Sequence, residues 1–94
     1  MALNARLERE IIAFAKKYGV RKVILFGSRA RGDNRERSDI DLAVSGGDIG
    51  EFAETVNEET WTLLMFDVVN LDKGISAELQ AEIDRDGVVL YEKT

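Results

Sequence analysis

The alternation in Asp39-Ile40-Asp41-Leu42-Ala43-Val44 constrains this chain more than any other stretch. Successive side chains of a strand point to opposite faces, so Ile40, Leu42 and Val44 share one face while Asp39, Asp41 and Ala43 share the other. The apolar face has to be covered by another layer. The opposite face sets two carboxylates side by side, which at about 4 Å and an effective dielectric near 20 costs roughly 4 kcal/mol. A strand over 39–45 therefore belongs to a sheet with helices packed on it, and it carries a charge conflict that a divalent cation would relieve.

The rest of the chain supplies the layers. Leu3, Leu7, Ile11, Phe14 and Tyr18 recur at helical spacing, with Lys16 and Lys17 in the last turn and Gly19 as a stop, which predicts a helix over 4–18. Val20 to Phe26 is rich in Val, Ile and Leu, ends at Gly27, and reads as a buried strand. Residues 29–38 hold four arginines and two acids without apolar periodicity, a polar excursion with room for one short helical turn at its start. After Gly46-Gly47, Asp48 with Glu51 forms a capping box for a helix bearing Ile49, Phe52, Ala53 and Val56. A strand is expected over 63–71, a helix capped by Ser76 and stopped by Gly87, and a last strand over 88–91. The fold class is α+β (α/β): a mixed sheet of about four strands flanked by helices, in the order α-β-β-α-β-α-β.

Connections fix directions. Strands 20–26 and 39–45 are joined without a full helix, which suits an antiparallel pair and brings Gly27-Ser28 beside Asp39 and Asp41. The next strand is reached through a helix, so the crossover makes it parallel. Asp67, near its start, then falls at the same edge as the Asp39–Asp41 pair.

Composition prunes the chemistry. The chain of 94 residues makes one small domain, 1–94, with a modest core and no deep enclosing pocket. It has no cysteine and no histidine, which leaves carboxylate, hydroxyl, lysine, arginine and backbone for catalysis. Carboxylates suit hard cations such as Mg²⁺. A net charge of −5 is a poor match for long nucleic acid. Uncharged runs such as Val23 to Ser28 are far too short to span a bilayer, and the N-terminus is charged from Arg6 onward. No membrane association and a cytoplasmic setting are the expectation.

The turn after the first strand adds an anion site. Gly27 has no Cβ, so a phosphate can approach the backbone; a short helix starting at Ser28 would offer free N–H groups and a hydroxyl. Arg29 and Arg31 are candidates for charge-assisted bonds to phosphate oxygens. Ser38 reads as a strand-start hydroxyl that steadies the carboxylates. A phosphate turn facing a carboxylate pair is the layout of metal-assisted phosphoryl or nucleotidyl transfer, in which two metals clamp attacking and leaving oxygens. The plainer readings are an exposed polar strand face, a turn glycine and a solvated arginine loop. They leave unexplained why a Gly-Ser turn and a third aspartate meet the pair.

Gly27-Ser28, ten residues, then Asp39-Ile40-Asp41 resembles the signature of the minimal nucleotidyltransferases of the DNA polymerase β-like superfamily, and the likeness runs over nearly the whole chain. That resemblance implies Mg²⁺, two ions, on Asp39 and Asp41, with Asp67 as a further metal ligand and activator of the attacking hydroxyl. It implies ATP as nucleotide donor, held by Gly27, Ser28, Arg29, Arg31 and Ser38. It also implies a partner, a small helical HEPN RNase toxin, to whose tyrosine AMP is transferred, so that this chain acts as antitoxin in a homo- or hetero-oligomer. The alternative is a binding module that neutralises the toxin by covering it. A free-standing transferase acting on a small molecule is disfavoured by length.

Overall fold

The computed structural model describes residues 3–94. The chain runs α1 (Ala5–Lys17), β1 (Lys22–Phe26), α2 (Gly27–Arg31), β2 (Ile40–Ser45), α3 (Ile49–Glu59) and β3 (Phe66–Asn70). A 3-10 turn (Leu71–Lys73), α4 (Ala77–Asp86) and β4 (Val88–Glu92) complete it. Each long helix starts where a side chain can accept the orphan N–H groups of a first turn. Asn4 accepts from Arg6 and Leu7, Asp48 from Glu51, and Ser76 from Leu79.

The four strands form one mixed sheet in the order β3-β2-β1-β4. β1 runs antiparallel to both β2 and β4, and β2 runs parallel to β3, as the connections require. The two faces of β2 are treated differently. Ile40, Leu42 and Val44 join Val23, Leu25 and Phe66 in the main core, where Leu7 and Ile11 of α1 and Phe52 and Val56 of α3 cover them. Ala43 joins Phe26 and Ile83 in a smaller cluster with Ile24, Val69 and Leu79, so α4 covers the opposite face. Three layers result, with the aspartate face of β2 on the α4 side.

Several boundaries move. α1 and β1 are trimmed to 5–17 and 22–26, β4 extends to Glu92, and Asp39 lies just outside β2. The expected strand over 63–71 is shorter: it occupies 66–70, because Leu63 and Met65 are 99% and 62% exposed and only the Met65 carbonyl reaches β2, accepting from Ile40 N–H at 2.9 Å. β3 is an outer strand, and its first residue is closed from the side. The Asn57 side chain on α3 accepts Phe66 N–H at 2.8 Å and donates to the Phe66 carbonyl at 3.3 Å. Among the described residues no helix is long and apolar enough to cross a membrane.

Candidate active site

Three chain segments meet at one end of the sheet because of register. Phe26 pairs with Asp41 across β1 and β2, and Asp41 pairs with Asp67 across β2 and β3. Residues opposed across a ladder point the same way, so Asp41 and Asp67 project from the α4 face, beyond the reach of the small apolar cluster there. Asp41 is half-buried, while Asp39 and Asp67 are exposed.

The Gly27 turn packs directly on this pair. Gly27 is buried and has φ +73°, and a Cβ at this position would overlap Asp41 Oδ2 and lie 3.1 Å from Asp41 Cγ. A side chain is therefore excluded twice, by the left-handed backbone and by the carboxylate against it. Freedom for an approaching phosphate is the expectation from sequence; the nearer reason is the Asp41 carboxylate. The short helix begins at Gly27, one residue earlier than expected, and Ser28 is partly exposed on its first turn.

Asp41 carries the electrostatic signature of the site. Burial raises its pKa above the usual aspartate range, and the charges of Asp67, Asp39 and Glu82 push the same way, while Arg31 opposes them. No ion pair engages Asp41 or Asp67 among the described residues. Nor do three or more acidic side chains already converge on one cation position among those residues. The donor set is nonetheless all oxygen, mutually repulsive and open to solvent, which suits a hard divalent cation. Asp39, Asp41 and Asp67 are the residues that would hold it.

The polar loop divides its expected phosphate ligands. Arg29 is only 8% exposed, and its Nε and Nη2 donate to the Ser38 carbonyl at 3.1 and 2.8 Å, with Nη2 also donating to the Glu36 carbonyl at 3.2 Å. In this structure Arg29, expected from sequence on a nucleotide phosphate, braces the loop just before Asp39. Ser38 Oγ accepts the Arg35 N–H at 2.9 Å, so this hydroxyl helps shape the same loop. Arg31 is a cation whose charge reaches Asp41. It pairs with Asp33 at 3.2 Å, Glu82 at 3.4 Å and Asp86 at 3.7 Å, bridging α2 to α4. Those neighbours hold its pKa above the usual arginine value, the Asp33 hydrogen bond foremost.

Glu82 is the residue that sequence reasoning missed. It is one of the acids bearing on Asp41, and it also restrains Arg31. Its spacing on a polar helix face carries no signal, because only the packing of α4 against Ala43 and Phe26 brings it near the site.

The chain is similar in sequence and fold to several known proteins. A family model described as polymerase beta, nucleotidyltransferase matches residues 9–94. A protein of Methanocaldococcus jannaschii, MJ0435, provisionally named a protein adenylyltransferase, is 43% identical over 42 residues. The aligned stretch spans 45% of this chain and 45% of that protein, so less than half of the relative's length is matched. Among solved structures, a toxin–antitoxin crystallised with AMP-PNP superimposes with a TM-score of 0.74 and 25% identity, covering 93% of this chain and 74% of that one. A toxin–antitoxin named MntA-HpeT, carrying a tyrosine-to-alanine mutation, gives a TM-score of 0.73 and 26% identity over 98% of this chain and 75% of that one. With the family model spanning most of its length, the chain belongs to the polymerase beta nucleotidyltransferase family.

Proposed function

We propose that this chain is a Mg²⁺-dependent nucleotidyltransferase that moves AMP from ATP to a hydroxyl of a partner protein, a tyrosine of a HEPN-type helical toxin, and so acts as antitoxin. One observation carries the reading: Asp41 stands in register with Asp67 on one side and against the Gly27 turn on the other. Nucleotidyl transfer needs such an order, with an acceptor activated on one side and a triphosphate held on the other. A bound divalent cation would supply charge neutralisation on the phosphate oxygens and leaving group.

The residues divide the remaining work. The backbone of the Gly27 turn and the Ser28 hydroxyl hold phosphate oxygens, and Arg31, already beside the site, supplies positive charge toward them. Asp67, exposed at the β3 edge, takes the proton of the acceptor hydroxyl as its oxygen bonds to the α-phosphorus and the bond to pyrophosphate breaks. The Michaelis complex draws its acceptor from outside, since this small sheet encloses no second substrate. The structural neighbours, toxin–antitoxins of which one was crystallised with AMP-PNP, support a toxin partner and an adenine nucleotide. Neutralisation by complex formation alone is the second reading, and it would leave the opposed Asp41 and Asp67 without use.

The test is to co-express the chain with the protein encoded beside it and weigh that protein. A mass gain of one or more AMP on a tyrosine is expected with the natural chain and absent with Asp41→Asn. Equal modification by the variant sinks the mechanism; a tight complex with no modification leaves the binding reading.

A further inference from the structure

Beyond Asp39 the surface opens into a groove of about 640 Å³, with Trp61, Leu63, Leu64 and Met65 on one wall and Arg37 and Asp39 among the polar residues of the other. Resting on the transferase reading above, we infer that this groove is the acceptor entrance, and that its occupant is an apolar protein surface surrounding the acceptor hydroxyl.

Placement across the sheet is the first support. The Gly27 turn follows β1 and lies against Asp41, whereas residues 61–65 lead into β3 on the far side of the pair. In-line displacement puts attacking and leaving oxygens on opposite sides of the phosphorus. With the triphosphate on the Gly27 side, the acceptor arrives from the β3 side, and the groove is the opening there. Asp39 lines it directly, so the groove is continuous with the carboxylate edge.

The apolar wall is the second support. Trp61, Leu63 and Met65 are 49%, 99% and 62% exposed, close together in a chain whose other large hydrophobic side chains, except Val89, are wholly or partly buried among the described residues. This arch is fixed at both ends. Trp61 N–H donates to Glu10 Oε2 at 3.3 Å, and the Arg6 guanidinium lies 5.7 Å from the Trp61 ring centre. At the other end the Asn57 amide holds Phe66. Outward apolar side chains on a backbone tied down at both ends are a surface prepared for a partner. The opposite wall carries both signs of charge, through Glu36, Arg37 and Asp39, and the whole chain is at −5, which does not match a nucleic-acid acceptor.

The inference is tested with two short tyrosine peptides, one flanked by leucine and methionine, the other by serine and glutamate, each given with Mg²⁺ and labelled ATP. The apolar peptide is expected to take label faster by about tenfold or more, the scale of burying one or two large side chains. Leu63→Asp with Met65→Asp, both at exposed positions, should abolish that advantage while Mg²⁺-dependent ATP binding stays at the natural level. Equal labelling of the two peptides, an advantage that survives the double variant, or no labelling of either while ATP still binds, each overturns the groove assignment. So does a self-association in sedimentation that the double variant abolishes, because the occupant is then a second copy. ATP binding that persists unchanged in Asp41→Asn instead overturns the transferase reading.

Discussion

Replacing Asp41 by asparagine should make the metal-free protein more stable, although it destroys the proposed metal site. Neighbouring strands lie about 4.8 Å apart, and Asp41 and Asp67 face each other across one such gap. Two unit charges roughly 5 Å apart repel by about 3 kcal/mol at an effective dielectric of 20 and by less than about 1 kcal/mol in water. Because Asp41 is only half-buried, solvent screening favours the lower end, about 1 kcal/mol. In a domain of this size that raises Tm by roughly 4–8 °C. The pH dependence has a definite sign. Asp41 has a pKa raised by burial and by its acidic neighbours, so between the unfolded and folded pKa values the folded state binds more protons, and stability falls as pH rises through that window. The gain from Asp41→Asn is therefore full at neutral pH and shrinks as pH falls toward that of an ordinary aspartate. Thermal unfolding followed by circular dichroism in EDTA, at pH 7 and near pH 4, reads both quantities. Added Mg²⁺ should then raise the Tm of the natural chain more than that of the variant. A variant no more stable than the natural chain at pH 7, or a gain unchanged near pH 4, refutes the claim that carboxylate repulsion and burial dominate this site.

Three further outcomes follow from particular contacts. Gly27→Ala should lose about 1–3 kcal/mol to its left-handed backbone. It should also lose Mg²⁺-dependent ATP binding by displacing the Asp41 carboxylate, which calorimetry would detect; natural affinity would contradict the close packing. Arg29→Met removes a buried guanidinium from the Ser38 and Glu36 carbonyls and should cost on the order of 2 kcal/mol in urea unfolding. Mg²⁺ affinity should fall with it, because Asp39 follows Ser38. Phe52→Ala, at a fully buried position of the main core, should cost about 3–5 kcal/mol without changing the relative preference between acceptor peptides.

The sheet and its carboxylate edge were legible because their signals are local and periodic. Alternation set Asp39 and Asp41 apart from Ile40 and Leu42, and the presence or absence of a crossover helix gave the direction of each neighbour. Asp67 followed from those directions alone. Residues 63–65 mislead for a physical reason: an apolar run reads as a buried strand, whereas here Leu63 and Met65 face solvent. Arg29 misled in the opposite sense, since a guanidinium in a charged loop reads as solvated and this one is buried on backbone carbonyls. Glu82 was invisible because its place depends on how α4 lies across the sheet, a tertiary fact with no counterpart in spacing.

The amide of Asn57 does for Phe66 what one more strand would otherwise do, occupying the N–H and carbonyl that an outer strand offers to any passing chain. It also acts as a ruler. A strand that slips by a single residue turns every side chain to the opposite face, which would carry Asp67 into the apolar layer under α3 and leave Asp41 facing valine or phenylalanine. One side chain on a helix thus helps hold the register in which two acids meet, alongside the burial of Phe66 in the main core.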